Sequence, residues 1–170
     1  MISLGIDIGQ SLGWAVVNDG VLGAYGTLKL KRSASHAQNL ANITHLVDDF
    51  QPAAVGIEDV QFSRFVQAHA SYWRIRTLVE LGLEMAAPDA PVHTVGVSTL
   101  KTWATGRGNA SKPDMVRAAT ARGAVGLRHL EHPDVTAGRV SKAQAGRDQD
   151  MADAVMAAFW TFEVAQEASA

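Results

Sequence analysis

Alternation of apolar and polar positions marks the start of the chain. Leu4-Gly5-Ile6-Asp7-Ile8 and the stretch ending in Val16-Val17 read as strands. Between Trp14-Ala15-Val16-Val17 and Val21-Leu22-Gly23-Ala24-Tyr25 lies Asn18-Asp19-Gly20, a hairpin signal, because Asp-Gly accepts the positive φ of a tight turn. The opening is therefore expected to be a three-stranded meander. The spacing then becomes helical from Ala34 to Phe50, with Leu40, Ile43, Leu46, Val47 and Phe50 on one face and Pro52 ending the run. Ala53-Ala54-Val55-Gly56-Ile57-Glu58 reads as a short buried strand that ends in an acid. A long helix is expected from Val66 to Ala87, with Tyr72, Ile75, Leu78, Val79, Leu81 and Leu83 as its apolar positions, followed by a strand at Pro91-Val92-His93-Thr94-Val95. Ser98 caps a short helix through Trp103, and Ser111-Lys112-Pro113-Asp114 reads as the cap and first turn of another. His129 to Gly146 reads as a polar loop. Asp150 to Val164 reads as an apolar helix with Val155, Met156, Phe159 and Trp160 turned to the core, and Trp73 and Trp103 are also expected there.

Three meandering strands followed by helix, strand, helix, strand and helices define an α/β mixed five-stranded sheet. The crossover after the third strand returns the chain parallel to the first, most simply beside it. The first strand is then central, the second is antiparallel, and helices flank the sheet. That topology resembles the RNase H-like fold.

Size and composition narrow the class. The chain has 170 residues, enough for one core and too few for two ordinary domains, so residues 1–170 are expected to form one domain. It is 47% apolar and 19% charged, the profile of a compact globule. There is no apolar run long enough for a membrane span, and an acid at position 7 is unlike a signal peptide. The expectation is a cytoplasmic protein with no membrane partner. The absence of cysteine rules out disulfides, zinc ribbons and thiol nucleophiles. A net charge of −2 argues against nucleic acid until its distribution is considered. Between Lys101 and Arg147 the chain carries Lys101, Arg107, Lys112, Arg117, Arg122, Arg128, Arg139, Lys142 and Arg147 against Asp114, Glu131 and Asp134. Such a local basic stretch is suited to phosphates.

The acids carry the chemistry. Asp7 sits in a strand that should be central and buried, where an unpartnered carboxylate costs several kcal/mol, so it needs a cation or hydrogen-bond donors. Glu58 repeats the pattern at the end of the fourth strand, and acids at matched heights on neighbouring strands can share a cation. Asp150 and Asp153, three apart at a helix start, face the same way. Nearby Ala152, Ala154, Ala157 and Ala158 let that helix approach the sheet closely. Four converging carboxylates, without cysteine or zinc-like histidine spacing, suit Mg²⁺ or Mn²⁺, with two ions per site to activate water and stabilise a leaving oxygen. Asp148 reads as a helix cap or an outer acid, and as the alternative to Asp150 for the third ligand.

Gly5-Ile6-Asp7-Ile8-Gly9 with Gly13-Trp14-Ala15-Val16, then Ile57-Glu58, Lys101 ahead of Thr105-Gly106-x-Gly108-x-Ala110-x-Lys112, and finally Asp150-x-Ala152-Asp153-Ala154, resemble the RuvC-type Holliday-junction resolvases over almost the whole chain. The resemblance implies that Asp7, Glu58, Asp150 and Asp153 hold the catalytic metal, that Lys101 and Lys112 lie near the scissile strand, and that the protein is a homodimer acting on branched DNA. Two features depart from the compact cellular enzymes. The stretch from Val125 to Arg147 is longer, as in the phage-associated branch, and the aromatic expected to stack at the junction maps to Phe62 only with a one-residue shift, with Phe65 as competitor.

The segment Thr105 to Lys112 also stands on its own. Its glycines let backbone N–H groups approach an anion ahead of a helix N-terminus, yet it lacks the order of a nucleotide-binding P-loop. Arg107, Asn109, Ser111 and Lys112 are thus expected to contact DNA, while Phe62, Arg64 and Phe65 either join them by stacking on an unpaired base or staple the next helix. His129 and His132 lack a third ligand and read as surface loop. The expected activity is structure-selective, metal-dependent cleavage of four-way junctions or other branched DNA. The alternatives are an RNA-processing nuclease of the YqgF kind and a junction-binding protein without chemistry. Actin-like kinases share the Gly-Ile-Asp-x-Gly strand but need two such domains.

Overall fold

The computed structural model describes residues 1–9, 11–30, 35–59, 66–128 and 133–169. Strands β1 (Ile2–Ile8), β2 (Leu12–Asn18) and β3 (Val21–Leu28) form the meander, with Asp19 and Gly20 both at positive φ in the turn, as the Asp-Gly pair requires. Helix α1 (His36–Phe50) starts at Ser35, whose side chain accepts from Gln38 N, and stops at a left-handed Gln51 before Pro52. Strand β4 (Ala54–Asp59), α2 (Val66–Ala86), β5 (Val92–Gly96), α3 (Val97–Thr105), α4 (Lys112–Ala121), α5 (Pro133–Thr136) and α6 (Lys142–Glu167) follow. The sheet order is β3-β2-β1-β4-β5; β1, β4 and β5 are parallel to one another and β2 is antiparallel to its neighbours. The expected α/β sheet, with β1 central and helices on its faces, is what the chain forms. Among the described residues, no helix is long and apolar enough to cross a membrane.

Side-chain alternation divides the core in two. Leu4, Ile6, Ile8, Val55 and Ile57 pack with Ile43, Val47, Val79 and Leu83 of α1 and α2. On the opposite face Ala15 and Val17 meet Met115 and Ala119 of α4 and the Ala152–Ala158 stretch of α6. The second face is built for close approach. A methyl group on Gly5 would lie 2.2 Å from the Ala154 carbonyl oxygen and 2.3 Å from the Ala158 nitrogen. On Gly13 it would lie 2.3 Å from the Asp150 carbonyl oxygen, and on Gly56 it would lie 1.8 Å from Thr161 Oγ1. Ser3 Oγ adds a hydrogen bond to the Ala158 carbonyl at 2.9 Å. Helix α6 therefore crosses β2, β1 and β4 with backbone against backbone. From Met151 to Phe162 the helix is apolar on nearly every side apart from Asp153, as suits a segment enclosed by sheet and neighbouring helices.

Several expectations are corrected; α3 starts at Val97 after Gly96, so Ser98 lies inside it and is not its cap. Helix α6 begins at Lys142, not Asp150, because Ser141 caps it by accepting from Gln144 N at 3.1 Å. Part of the expected 129–146 loop is thus helix, with a further short turn at α5. Asp150 and Asp153 lie in the interior of α6, and Asp148 is not its cap. Trp73, expected in the core, is 56% exposed, and Leu81, one of the apolar positions of α2, is 41% exposed, because α2 packs through Val79 and Leu83 instead.

Gly5→Ala must push α6 off the sheet, and overpacking of this kind costs about 1–3 kcal/mol. Urea unfolding is expected to show that loss for Gly5→Ala. Gly23→Ala, where the nearest atom would be 3.7 Å away, is expected to change stability far less.

Candidate metal centre

Two strands end in matching triplets, Gly5-Ile6-Asp7 and Gly56-Ile57-Glu58. Ile6 pairs with Ile57 across the parallel β1–β4 ladder, so Asp7 and Glu58 stand side by side at its C-terminal end. Because alternate residues share a face, each acid points to the side of the glycine two positions before it, which is the side of α6. The glycines draw α6 down, and Asp153 comes with it. Carboxylate oxygens of Asp7, Glu58 and Asp153 lie within 4.8 Å of one another. Asp150 is one turn earlier on α6 and lies outside this tight group. Its carboxylate sits over the end of β1, 3.7 Å from where a methyl group on Gly9 would be.

Crowding and burial set the electrostatics. Burial raises Asp7 well above the ordinary carboxylate range, reinforced by Glu58, Asp153 and Asp150 and opposed by Lys112. Burial likewise raises Glu58 to about 8, against the pull of Lys101, a hydrogen bond with Asp7, and Lys112. Two carboxyls sharing a hydrogen bond need a proton between them. Asp153 is raised to about 6 by burial, with Lys112 and Lys101 lowering it. Asp150 is raised by burial while Lys112 and Arg147 draw it down. Asp153 Oδ1 is buried with no hydrogen-bond partner, a costly condition for a carboxylate oxygen. Three acid oxygens at this separation, one of them orphaned, fit an oxygen-seeking divalent cation. Among the described residues this is the group of acids and histidines that could hold one.

The remaining expected site residues fall into distinct places. Lys101 on α3 and Lys112 at the first position of α4 both act on the carboxylate cluster. Ser111 caps α4 in a reciprocal box: Asp114 N donates to Ser111 Oγ at 3.4 Å, and Ser111 N donates to Asp114 Oδ2 at 2.8 Å. Asp114 also pairs with Arg107 at 3.2 Å and with Arg117. Asn109 is exposed in the turn before α4. Asp148 is 1% exposed and accepts from Arg128 N at 3.1 Å and Gln144 Nε2 at 2.6 Å. Two residues from Asp150 on a helix, it faces nearly the opposite way, and it is absent from the cluster. Phe62, Arg64, Phe65, His129 and His132 lie outside the described residues. Arg147, whose charge reaches Asp150, was counted in the basic stretch but not among the site residues; its place three residues before Asp150 was the available signal.

A mixed five-stranded sheet with β1 central and helices on both faces is the RNase H-like fold expected from the sequence. Comparison narrows this class. No protein-family model matches the chain. The crossover junction endodeoxyribonuclease RuvC of Roseiflexus sp. (strain RS-1) is 32% identical over 122 residues, covering 66% of this chain and 71% of that protein. By that relationship the chain belongs to the RuvC family. Solved structures agree in fold. Thermus thermophilus RuvC has a TM-score of 0.71 at 20% identity, covering 99% of this chain and 97% of its own. The same protein in complex with a Holliday junction substrate gives 0.72 at 22%, with the same coverage. The yeast mitochondrial Holliday junction resolvase gives 0.65 at 14%, covering 98% of this chain and 80% of its own.

The raised acids fix a pH dependence. Between the ordinary value of 4.5 and about 8, native Glu58 holds a proton that the unfolded chain releases, so stability falls as pH rises through that window. Asp153 adds to the loss up to about 6. Metal-free melting temperature is therefore expected to drop from about pH 5 to about pH 8, and Asp7→Asn should flatten the drop. Mg²⁺ at the upper end should restore stability in the parent protein and barely move Asp7→Asn; equal shifts in both would argue against this centre.

Proposed function

We propose that this protein is a structure-selective DNA endonuclease that resolves four-way junctions by divalent-metal-dependent phosphodiester hydrolysis, working as a homodimer with one site per strand. The observation that carries the reading is the convergence of Asp7, Glu58 and Asp153, flanked by Asp150 and the two lysines. Membership of the RuvC family supports it. A cluster whose members raise one another's proton affinity weakens the fold, and a protein that only held junctions would have little reason to keep it.

Asp7, Glu58 and Asp153 would hold Mg²⁺ or Mn²⁺, with Asp150 completing the set for a pair of ions. When bound, the ions supply Lewis acidity toward the attacking water and the leaving oxygen. The chain's own residues do the rest. The end of the sheet and α6 form a rigid frame that fixes the carboxylates before substrate arrives. Lys112 sits at the N-terminus of α4, where the helix dipole and its ammonium together would favour the extra negative charge of a five-coordinate phosphorus transition state. Lys101 faces the cluster from α3 and offsets the charge of Glu58 and Asp153.

Lys112→Ala is expected to slow junction cleavage by about 10²–10³, the usual cost of removing one preorganised charge-stabilising group, while junction affinity changes little. Single-turnover rates and binding isotherms measure the two separately. Proportional losses would make Lys112 a backbone anchor only.

Substrate choice is tested with Asp7→Asn, which should bind without cutting. It is expected to prefer a four-way DNA junction over duplex of equal length, and the parent protein with Mg²⁺ should nick two opposing strands symmetrically. Preferential cutting of an RNA hairpin would favour the RNA-processing alternative. Tight junction binding without nicks would favour a binding protein. Single nicks scattered on duplex would sink the resolvase reading and leave a nuclease centre.

A further inference from the structure

Most arginines in the basic third of the chain are committed within the protein. Asp114 engages Arg107 and Arg117, Asp134 engages Arg128 and Arg139, and Arg122 lies 4.7 Å above the Trp103 ring. Arg147 is placed differently. It sits on α6 one turn before Asp150, on the same flank, and forms no ion pair with a described carboxylate. Its Nη2 donates to Oε1 of Gln144. The other end of that amide, Nε2, donates to Asp148 Oδ1 at 2.6 Å. Asp148 is buried inside α6 and uses Oδ2 to accept from Arg128 N at 3.1 Å. Asp148 Oδ1 takes the N–H end of the Gln144 amide, which leaves the amide carbonyl oxygen for Arg147. One buried acid thus orients an amide, and the amide orients a guanidinium.

We propose that Arg147 is a binding residue for the nucleic-acid backbone, gripping a phosphate that flanks the scissile one, with Gln144 and Asp148 as its positioning residues. This rests on the junction-nuclease reading and adds a contact to it. Guanidinium presents a rigid fork that matches two phosphate oxygens, and one donor spent on Gln144 leaves others in fixed directions. Holding the side chain in place beforehand removes ordering entropy from binding. A flanking phosphate is favoured over the scissile one because Arg147 lies beyond Asp150, which is itself outside the tight trio of acids. Were Arg147 present only to neutralise Asp150, a lysine would serve as well.

The test measures binding of a four-way junction and a plain duplex over a salt series, in the non-cutting Asp7→Asn protein. Losing one phosphate contact reduces the slope of log affinity against log salt by about 0.9. Adding Arg147→Ala should produce that reduction and weaken junction binding about tenfold. Arg147→Lys should recover the slope but only part of the affinity. Gln144→Ala, a change a helix surface accepts, should weaken binding by a smaller factor and have no further effect once Arg147 is alanine. Unchanged slope and affinity in Arg147→Ala would overturn the contact. Full recovery by lysine would overturn the fork, and additive losses with Gln144→Ala would overturn the relay. Failure of the reading beneath it looks different: slope changes on both ligands without junction preference in Asp7→Asn would keep the phosphate contact and remove the junction.

Discussion

Contact between the backbone of α6 and the backbone of the sheet governs everything else in this structure. Gly13, Gly5 and Gly56 lie along a diagonal under the helix, and each leaves room for an atom of α6 that any side chain would displace. Small residues on both partners let two elements of secondary structure approach closely, and the dense contact that results is worth more than the side chains given up. The same approach carries Asp153 to within coordination range of Asp7 and Glu58. Packing and the gathering of the acids therefore share one cause, and the glycine two positions before each strand acid belongs to the carboxylate cluster as much as to the core.

The cluster works against the fold that holds it. Burial and mutual repulsion raise Asp7, Glu58 and Asp153, and Lys101 and Lys112 relieve part of the strain from outside the sheet. Those lysines stand on α3 and α4, not on the strands or helix that carry the acids. Charge compensation thus depends on how two short helices dock on α6. Gly106 at φ +78, ending α3, and the Ser111–Asp114 box, starting α4, hold that connection.

Much of this was legible in the sequence for identifiable reasons. The meander followed from alternation and one Asp-Gly turn, and the sheet order from a crossover that had to run parallel. The acids stood out because Ile6-Asp7-Ile8 and Ile57-Glu58 put charge where a buried strand should have none. The start of α6 was hidden because Gln144, Arg147 and Asp148 look like solvated loop, whereas their polarity is internal: they bond to one another and to Arg128. The exposure of Trp73 was hidden because α2 carries large apolar residues on more than one face, and periodicity alone cannot rank them. The glycine diagonal was missed since its members lie on three strands, and only the register brings them into line.

Helix α6 is one unbroken rod from Lys142 to Glu167, and this constrains how the protein can change in length over evolution. Adding or deleting a single residue between Asp150 and Thr161 would turn everything beyond it by roughly 100°, so the acids and the small residues that seat the helix could not both face the sheet. Length variation is tolerable ahead of Ser141, where the chain enters the helix from irregular structure. The stretch between α4 and α6 is thus where lineages can lengthen or shorten the protein without disturbing its chemistry.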